Sequence, residues 1–299
     1  MKRNNSIHGR WKEALIKHIL LFFALTSIFF LLGIVIVLFG AGLPIFKIVP
    51  VVDFVLGKAW YPTYDPPDFG ILPLILGSLW VTLGALIIAV PLGVSAAAYI
   101  SEVAHPKIKE IAKPVVEILA GIPSVVYGFF GMVILSPWLQ NTFNLPTGLT
   151  CLTASIILGF MVLPTVVSIS EDAISAVPFS YKEASFALGA TKWETISKVT
   201  VPSAISGITT SIILGIGRAI GETMTVLMVA GGAAVIPHSF LRPVRPMTAT
   251  IAAEMGEAPV GSHHYHALFG IAIVLFIVTL AFNLLAGHLA NTFRRKMGH

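Results

Sequence analysis

Long apolar runs separated by short polar segments dominate the chain. Four runs are free of charged residues, at positions 19–46, 69–101, 118–170 and 267–292, and a fifth at 199–241 is interrupted by one charged pair. A helix needs about 20 apolar residues to cross the hydrocarbon core of a bilayer. The 53-residue run from position 118 is too long for one crossing, and its turn-rich stretch at 140–148 divides it into two. The pattern therefore predicts an all-α membrane protein with six transmembrane helices.

Lysine and arginine are distributed unequally over the segments between these runs. Fourteen lie in the N-terminal segment, the second and fourth loops and the C-terminal tail, whereas the other loops hold four. Because cytoplasmic segments carry the excess of basic residues, both termini are predicted to face the cytoplasm. We expect a cytoplasmic N-terminal segment at 1–18, a transmembrane domain at 19–292 that includes a cytoplasmic loop at 171–202, and a basic cytoplasmic tail at 293–299.

The composition agrees with a protein whose main partner is the lipid bilayer. Hydrophobic residues make up 56% of the chain and charged residues 11%, whereas globular domains carry about 25% charged residues. The net charge of +5 does not indicate nucleic acid, because the basic residues are spread over short segments between apolar runs. The single cysteine, Cys151, lies in an apolar stretch and is predicted to be inert.

Arg218 and Glu222 are four residues apart inside the interrupted apolar run. A charge at membrane depth costs roughly 2.5 to 3.5 kcal/mol on insertion scales, so such residues are read as functional. On one continuous helix this spacing places both heads on one face, together with Ser211 and Thr225. Counted from Pro202, Arg218 would lie roughly 24 Å along the helix axis. Arg218, Glu222, Ser211 and Thr225 are the predicted substrate pathway.

The fourth loop carries a spaced motif over 20 residues. It reads Glu-Ala-Ser at 183–185, glycine at 189 and Val-Thr-Val-Pro at 199–202. This resembles the EAA loop of ABC importer permeases, in which Glu-Ala-Ala is followed by a glycine and then by Ile-x-Leu-Pro. The resemblance implies a cytoplasmic coupling helix, ended by a left-handed glycine cap, that docks on a separate ATPase subunit. Its coupling residues would be Glu183, Ala184, Ser185, Phe186 and Gly189.

Further blocks narrow the resemblance. The segments at 69–78, 119–131, 217–224 and 247–257 are similar to the phosphate-specific ABC importer permeases of the PstC type. That family implies a type I permease fold in a bacterial inner membrane and a non-catalytic role for this chain. It also implies a heterodimer with a PstA-like permease, two ATPase subunits that bind the ATP, and a periplasmic phosphate-binding protein. No cofactor is then expected on this chain itself.

The charged pair suggests how such a permease would handle phosphate. Arginine stays protonated and presents planar donors that match two phosphate oxygens at once, so Arg218 is the predicted anion site. Three roles stay open for Glu222. It would neutralise Arg218 in the empty state, accept a hydrogen bond from a phosphate hydroxyl that sulfate lacks, or form a structural pair with Arg218 facing the partner permease.

Two other groups of polar residues lie near the last external loop. Glu254 and Glu257 would line the outer mouth of the pathway or contact a binding protein, and a solvated loop face explains them equally well. The histidines at 263, 264 and 266 have no acidic or sulfur ligand at helical spacing beside them, so no metal site is expected.

Other functions remain open at this stage. A permease for another oxyanion, such as sulfate or molybdate, belongs to the same class. A stand-alone ion-coupled carrier or anion channel would work without ATP and would not need the EAA-type loop. A membrane-embedded enzyme finds no support, because no nucleophile–base arrangement is recognisable.

Overall fold

The computed structural model describes the backbone of residues 7–296 and the side chains of residues 13–285, 287 and 288. This part of the chain is helical apart from one two-stranded hairpin. The helices are α1 (Ile7–Gly42), α2 (Val51–Leu56), α3 (Leu72–Ala98), α4 (Pro106–Ala120), α5 (Ser124–Phe130), α6 (Ser136–Phe143), α7 (Cys151–Ser175), α8 (Phe179–Ala187), α9 (Lys192–Thr195), α10 (Val201–Ser203), α11 (Ile205–Gly221), α12 (Met224–Val229), α13 (Met247–Glu254) and α14 (His263–Lys296). The strands are β1 (Trp60–Tyr61) and β2 (Asp68–Phe69). A 3₁₀ segment at Leu43–Lys47 and π-helical segments at Tyr99–Val103, Gly131–Leu135 and Ile196–Thr200 extend neighbouring helices.

Four stretches are long and apolar enough to cross a membrane unbroken: Glu13–Lys47, Leu72–Val103, Cys151–Ser175 and His263–Leu285. Two further crossings are bent. Pro106–Ala120 meets Ser124–Phe143 at 88°, and Lys192–Ser203 meets Ile205–Gly221 at 66°. The described chain therefore reaches the six predicted crossings when each bent pair counts as one.

The 88° bend corrects the predicted start of the third crossing at position 118. Proline at position 123 begins α5 and offers no backbone N–H to a helix arriving from α4, and Gly121 precedes it. α4 is an amphipathic helix in which no residue is buried. We infer that α4 lies along the cytoplasmic side of the bundle and that the third crossing begins only at Ser124.

The centre of the fold is the contact between α3 and α7, on which α11 packs. Small residues permit the close approach. A methyl group on Gly84 would lie 2.7 Å from the Cβ of Ser155, and one on Gly93 would lie 2.8 Å from Val166. Membrane helices gain little from apolar burial against each other, because lipid tails are equally apolar, and close van der Waals packing holds them together instead.

α1 has the opposite environment. None of its 18 most apolar consecutive residues is buried, and bulky side chains such as Phe29 and Ile36 are largely exposed. In a bilayer this surface meets lipid. The helix begins at Ile7, inside the predicted segment 1–18, so the structure marks no boundary at residue 18. Residues 1–6 and 297–299, the ends of the two predicted cytoplasmic segments, lie outside the described residues.

The outer side of the bundle is built from two loop regions. β1 and β2 pair antiparallel with Trp60 opposite Phe69, and α13 packs against α3 and α14. After α12 the chain turns back, and Gly231 pairs with Val244 in a parallel bridge. The apolar run at 199–241 is therefore a bent and interrupted helix followed by a returning loop, and the single continuous helix assumed for it is wrong.

We predict that Gly84→Ala destabilises the protein by about 1–3 kcal/mol, the usual cost of overpacking a close contact. The added methyl would collide with Ser155 and Phe240, and neither the α3 nor the α7 backbone can move away freely. Thermal unfolding of the purified protein should show a lower midpoint than wild type. Gly33→Ala is the matched control, because a methyl there meets nothing within 4 Å. Equal midpoints for the two variants would contradict the packing account.

Candidate substrate pathway and coupling surface

Arg218 lies in the last turn of α11 and is half-buried. Its Nη1 donates to Thr165 Oγ1 on α7 at 3.0 Å, and its Nη2 donates to the carbonyl oxygen of Ala120 at 3.4 Å. That carbonyl belongs to the end of α4, where unpaired carbonyls and the helix dipole favour a cation. No carboxylate oxygen of the described residues lies within 4.0 Å of the guanidinium. Neutral acceptors alone hold Arg218, and its charge is uncompensated.

The predicted sharing of one helix face by Arg218 and Glu222 is wrong. α11 ends at Gly221, and the backbone of Glu222 is extended, with φ −68° and ψ 131°. Its carboxylate Oε1 accepts a hydrogen bond from the N–H of Thr225 at 3.0 Å, at the start of α12. The carboxylate is thus bonded to the backbone at the start of α12 and not to Arg218. An ion pair that neutralises Arg218, or one that stabilises the helix, is therefore not formed.

A second interruption, at the start of α11, changes the depth expected for Arg218. The crossing bends by 66° between α10 and α11, so a straight count from Pro202 overestimates the depth. Counted from Ile205, Arg218 lies about 20 Å along the axis of α11. This is the last turn of α11, at a distance that still falls within a hydrocarbon core about 30 Å thick.

Ser211 and Thr225 are fully buried and hold helices together in this chain. The Ser211 hydroxyl lies 2.7 Å from the hydroxyl of Ser170 on α7, and also donates to the carbonyl of Ile208. Thr225 Oγ1 donates to the carbonyl of Ser124 at 3.0 Å, which ties α12 to α5. Their assignment to the pathway stays a prediction, because neither hydroxyl reaches an open surface in this structure.

Sequence reasoning missed the two groups that hold Arg218. Thr165 lies inside an uncharged run next to a proline, and Ala120 contributes only a backbone carbonyl. The Ala-Gly-Ile-Pro sequence at 120–123 was the available signal, because a glycine and a proline together predict a broken helix with free carbonyls.

An apolar cleft of about 340 Å³ opens beside this arrangement. It is lined by Leu119, Ile122, Val126, Tyr127, Phe130, Ile157, Phe160, Leu163 and Pro164. Leu119 and Pro164 are the sequence neighbours of the two groups that hold Arg218. Arg218 does not line this cleft itself, but its charge acts on Tyr127, which does.

The predicted coupling helix is present as α8, and its glycine cap is confirmed. Gly189 has φ +82°, its N–H bonds to the carbonyl of Phe186, and the N–H of Ala190 bonds to the carbonyl of Ser185. This pair of hydrogen bonds is the Schellman arrangement, which needs a left-handed residue just past the helix end. The helix itself ends at Ala187, two residues before the cap glycine.

The coupling residues do not all face outward. Glu183, Ala184, Phe186 and Gly189 are exposed, whereas Ser185 is buried and its hydroxyl lies 2.9 Å from that of Thr195. Ser185 therefore fixes α8 against the following helix, and its side chain is not available for docking in this structure.

The loop also exposes two large side chains, of which sequence reasoning missed Trp193. Leu188 is 90% exposed and Trp193 is 72% exposed. Exposed apolar residues of this size on a polar side of a membrane protein mark a surface for another protein.

Glu254 and Glu257 have different environments at the outer side. Glu254 accepts hydrogen bonds from Trp60 Nε1, from Arg245, and from His264 Nε2 at 2.9 Å, so it links the end of α13 to the β1 hairpin, to the loop before α13 and to α14. Glu257 is exposed and borders a cleft of about 440 Å³. The described residues contain no group of three side chains suited to hold a metal ion.

Comparison with known proteins identifies the family of this chain. A model described as the binding-protein-dependent transport system inner membrane component matches residues 89–299. The chain belongs to this family. The probable ABC transporter permease protein YqgH of Bacillus subtilis is 40% identical over 246 residues, which cover 82% of this chain and 79% of the relative. The phosphate transport system permease proteins PstC of Mesorhizobium japonicum and Haemophilus influenzae are 35% and 33% identical, over 76% and 93% of this chain and 74% and 93% of theirs.

Solved structures of low sequence identity share the fold. A chain of a bacterial alginate ABC transporter superposes with a TM-score of 0.65 at 16% identity, over 94% of this chain and 96% of that one. A chain of the inward-facing MetNI methionine ABC transporter gives 0.56 at 18% identity, over 75% and 94%. The type I permease fold and the multi-pass inner-membrane location are thus confirmed. Systems of this family combine permeases with ATPase subunits and a binding protein.

We predict that Leu188→Asp weakens the attachment of the ATPase subunit by about 10-fold or more, because a carboxylate replaces an apolar side chain in a docked surface. Co-purification of the ATPase with tagged permease, at matched expression, measures this. Val260→Asp is the control, since Val260 is 86% exposed in a loop on the other side. Equal recovery of ATPase with both variants would show that Leu188 lies outside the docking surface.

Proposed function

We propose that this chain is the permease subunit of an ATP-driven phosphate importer and that Arg218 is its anion site. The observation that carries the proposal is a half-buried guanidinium inside a membrane crossing that forms no ion pair among the described residues and whose charge acts on Tyr127, which lines an apolar cleft. Charged residues at such depth are rare and are kept for ion or substrate pathways. Relatives named phosphate transport system permease proteins, at 33–35% identity over most of the chain, support phosphate as the anion.

The two acceptors of Arg218 suggest how the site works when empty. A hydroxyl and a carbonyl satisfy part of the guanidinium without cancelling its charge. A phosphate that approaches from the cleft offers two charged oxygens in the planar geometry that guanidinium fits, and such charge-assisted bonds are stronger than those to neutral oxygens. The anion would therefore replace the two weaker acceptors instead of displacing a carboxylate.

Glu222 retains one of its predicted roles in this proposal. Oε1 is committed to the N–H of Thr225, whereas no hydrogen bond to Oε2 is recorded among the described residues. A free carboxylate oxygen can accept the proton of a phosphate hydroxyl and would repel sulfate, which has no such proton at neutral pH. Glu222 thus acts as an acceptor that distinguishes phosphate from sulfate, four residues after the anion site at Arg218.

The remaining subunits follow from surfaces that this chain leaves open. A PstA-like permease would cover the cleft beside Arg218 and complete the pathway as a heterodimer. Two ATPase subunits, which bind the ATP, would receive α8 of this chain and the equivalent helix of its partner. A periplasmic phosphate-binding protein would deliver the anion at the outer side, where Glu257 borders a cleft.

The proposal is tested by phosphate uptake into proteoliposomes that contain the co-expressed complex with binding protein and ATP. Arg218→Gln should lower uptake by about 10-fold or more, because each hydrogen bond to a charged group contributes about 1.5–3 kcal/mol. Arg218→Lys keeps the charge but lacks the planar fork, so its phosphate uptake should lie between that of wild type and that of Arg218→Gln. Uptake that needs no ATP would indicate a carrier or channel, and ATP-driven uptake unaffected by Arg218→Gln would overturn the assignment of the anion site.

Glu222→Gln tests the discriminating acceptor. Glutamine keeps an oxygen for the N–H of Thr225, so α12 should remain capped, but it replaces the free carboxylate oxygen by an amide donor. We expect sulfate to become a competitor of phosphate uptake in this variant and not in wild type. If phosphate uptake persists and sulfate still fails to compete, Glu222 does not discriminate between the two anions.

A further inference from the structure

Charged and hydroxyl side chains connect three helix ends on the cytoplasmic side. We call these residues the Glu171 cluster: Glu171, Asp172 and Ser175 on α7, Lys109 and Lys113 on α4, and Ser101 in the π-helical segment that extends α3. Glu171 is 4% exposed and lies 3.1 Å from Lys109 Nζ and 3.2 Å from Lys113 Nζ. Lys113 also reaches Asp172 at 2.6 Å. Two lysines on α4 are therefore fixed to one buried carboxylate on α7.

Hydroxyl groups extend this cluster to the end of α3. Ser175 donates to Glu171 at 2.7 Å, so it has no second proton and acts as the acceptor from Lys109 at 3.1 Å. Ser101 lies 2.9 Å from Ser175 and must then be the donor. Its neighbour along the chain is Glu102.

Glu102 connects the cluster to the coupling helix. Lys182 Nζ of α8 lies 2.6 Å from Glu102 Oε1, and the two side chains are only 16% and 10% exposed. The ion pair between Lys198 and Glu194 in the same loop is longer, at 3.6 Å, and its side chains are 74% and 45% exposed. Exposed pairs of that kind contribute little, whereas an enclosed pair fixes the position of the groups it joins.

α4 carries the connection onward to Arg218. Eleven residues separate Lys109 from Ala120, about 16 Å along a helix axis, and the carbonyl of Ala120 accepts from Arg218. α4 contains no buried residue, and it is bounded by an extended residue at Ala104 and by the 88° bend before Ser124. A helix with breaks at both ends and polar attachments can shift as a unit, as hinge motions require.

We propose that the Lys182–Glu102 ion pair and the Glu171 cluster transmit movement of the coupling helix through α4 to Arg218. This inference rests on the proposed function for the identity of the transported ion, for Arg218 as the anion site and for α8 as the helix that receives the ATPase. Lys182 and Glu102 are positioning residues in this account. When the ATPase subunits shift α8, the ion pair pulls the end of α3 and with it the Glu171 cluster. The lysines of that cluster belong to α4, so α4 moves too. The carbonyl of Ala120 at the end of α4, which accepts from Arg218, then changes position.

Charge reversal tests the ion pair. Lys182→Glu and Glu102→Lys should each lower phosphate uptake per ATP hydrolysed by about 10-fold, in the range of coupling energies between linked sites. The double variant restores opposite charges and should recover most of the ratio, which would show that the two residues act through each other. Lys107→Glu is the control, since it makes the same charge change on an exposed residue of α4 without a partner among the described residues.

A second measurement does not depend on the transported ion. Nitroxide labels at Ile111→Cys on α4 and Val260→Cys on the outer side, in a Cys151→Ala background, report the position of α4 by pulsed electron resonance. We expect ATP to change this distance in the protein with the native ion pair. The change should be absent in each single reversal and present again in the double variant. The labelled sites are exposed, at 65% and 86%.

The outcomes separate this inference from the proposed function. A complex that carries no phosphate but shows the distance change, lost in the single variants and regained in the double, would overturn phosphate transport and support the transmission route. A complex whose uptake ratio and distance change survive both single reversals would overturn the route and leave phosphate transport in place. Failure of the double variant to recover either readout would also overturn the role of the ion pair.

Discussion

A guanidinium inside a membrane crossing, which forms no ion pair among the described residues, sets the requirement that the surrounding structure meets. Among the described residues, the desolvation of Arg218 is offset by Thr165, by the carbonyl of Ala120 and by the dipole at the end of α4. These acceptors belong to α7 and α4, so the position of Arg218 on α11 depends on both helices. The break at 121–123 is what frees the carbonyl of Ala120 to accept.

Charges elsewhere in the molecule are treated differently. On the outer side Glu254 is surrounded by Trp60, Arg245 and His264, and it fastens the hairpin to α13 and α14. On the cytoplasmic side Glu171 binds two lysines. The described residues at both ends of the bundle thus include paired charges that join segments, whereas Arg218 forms no ion pair with any of the described residues. An ion pair suits a structural connection between segments, whereas a cation without an ion-pair partner suits a site that a transported anion occupies.

The sequence predicted the features that depend on local composition. Apolar runs located the crossings, and the spacing of the EAA-type loop located α8 and its left-handed cap at Gly189. The features that sequence reasoning missed depend on where a helix is interrupted and on partners that are distant along the chain. The i, i+4 reading of Arg218 and Glu222 assumed a continuous helix, but α11 ends at Gly221 and the Glu222 carboxylate accepts from the N–H of Thr225 in the next helix. Thr165 lies 53 residues before Arg218 in the chain, and a backbone carbonyl leaves no mark in the residue type.

A cryo-electron microscopy map of the assembled complex, trapped with phosphate between its inner and outer openings, tests the central claim most directly. The account predicts density for the anion within hydrogen-bonding distance of the Arg218 guanidinium, with Thr165 and the Ala120 carbonyl released from it. Phosphate density elsewhere in the crossing, with Arg218 still bonded to Thr165 and Ala120, would contradict it.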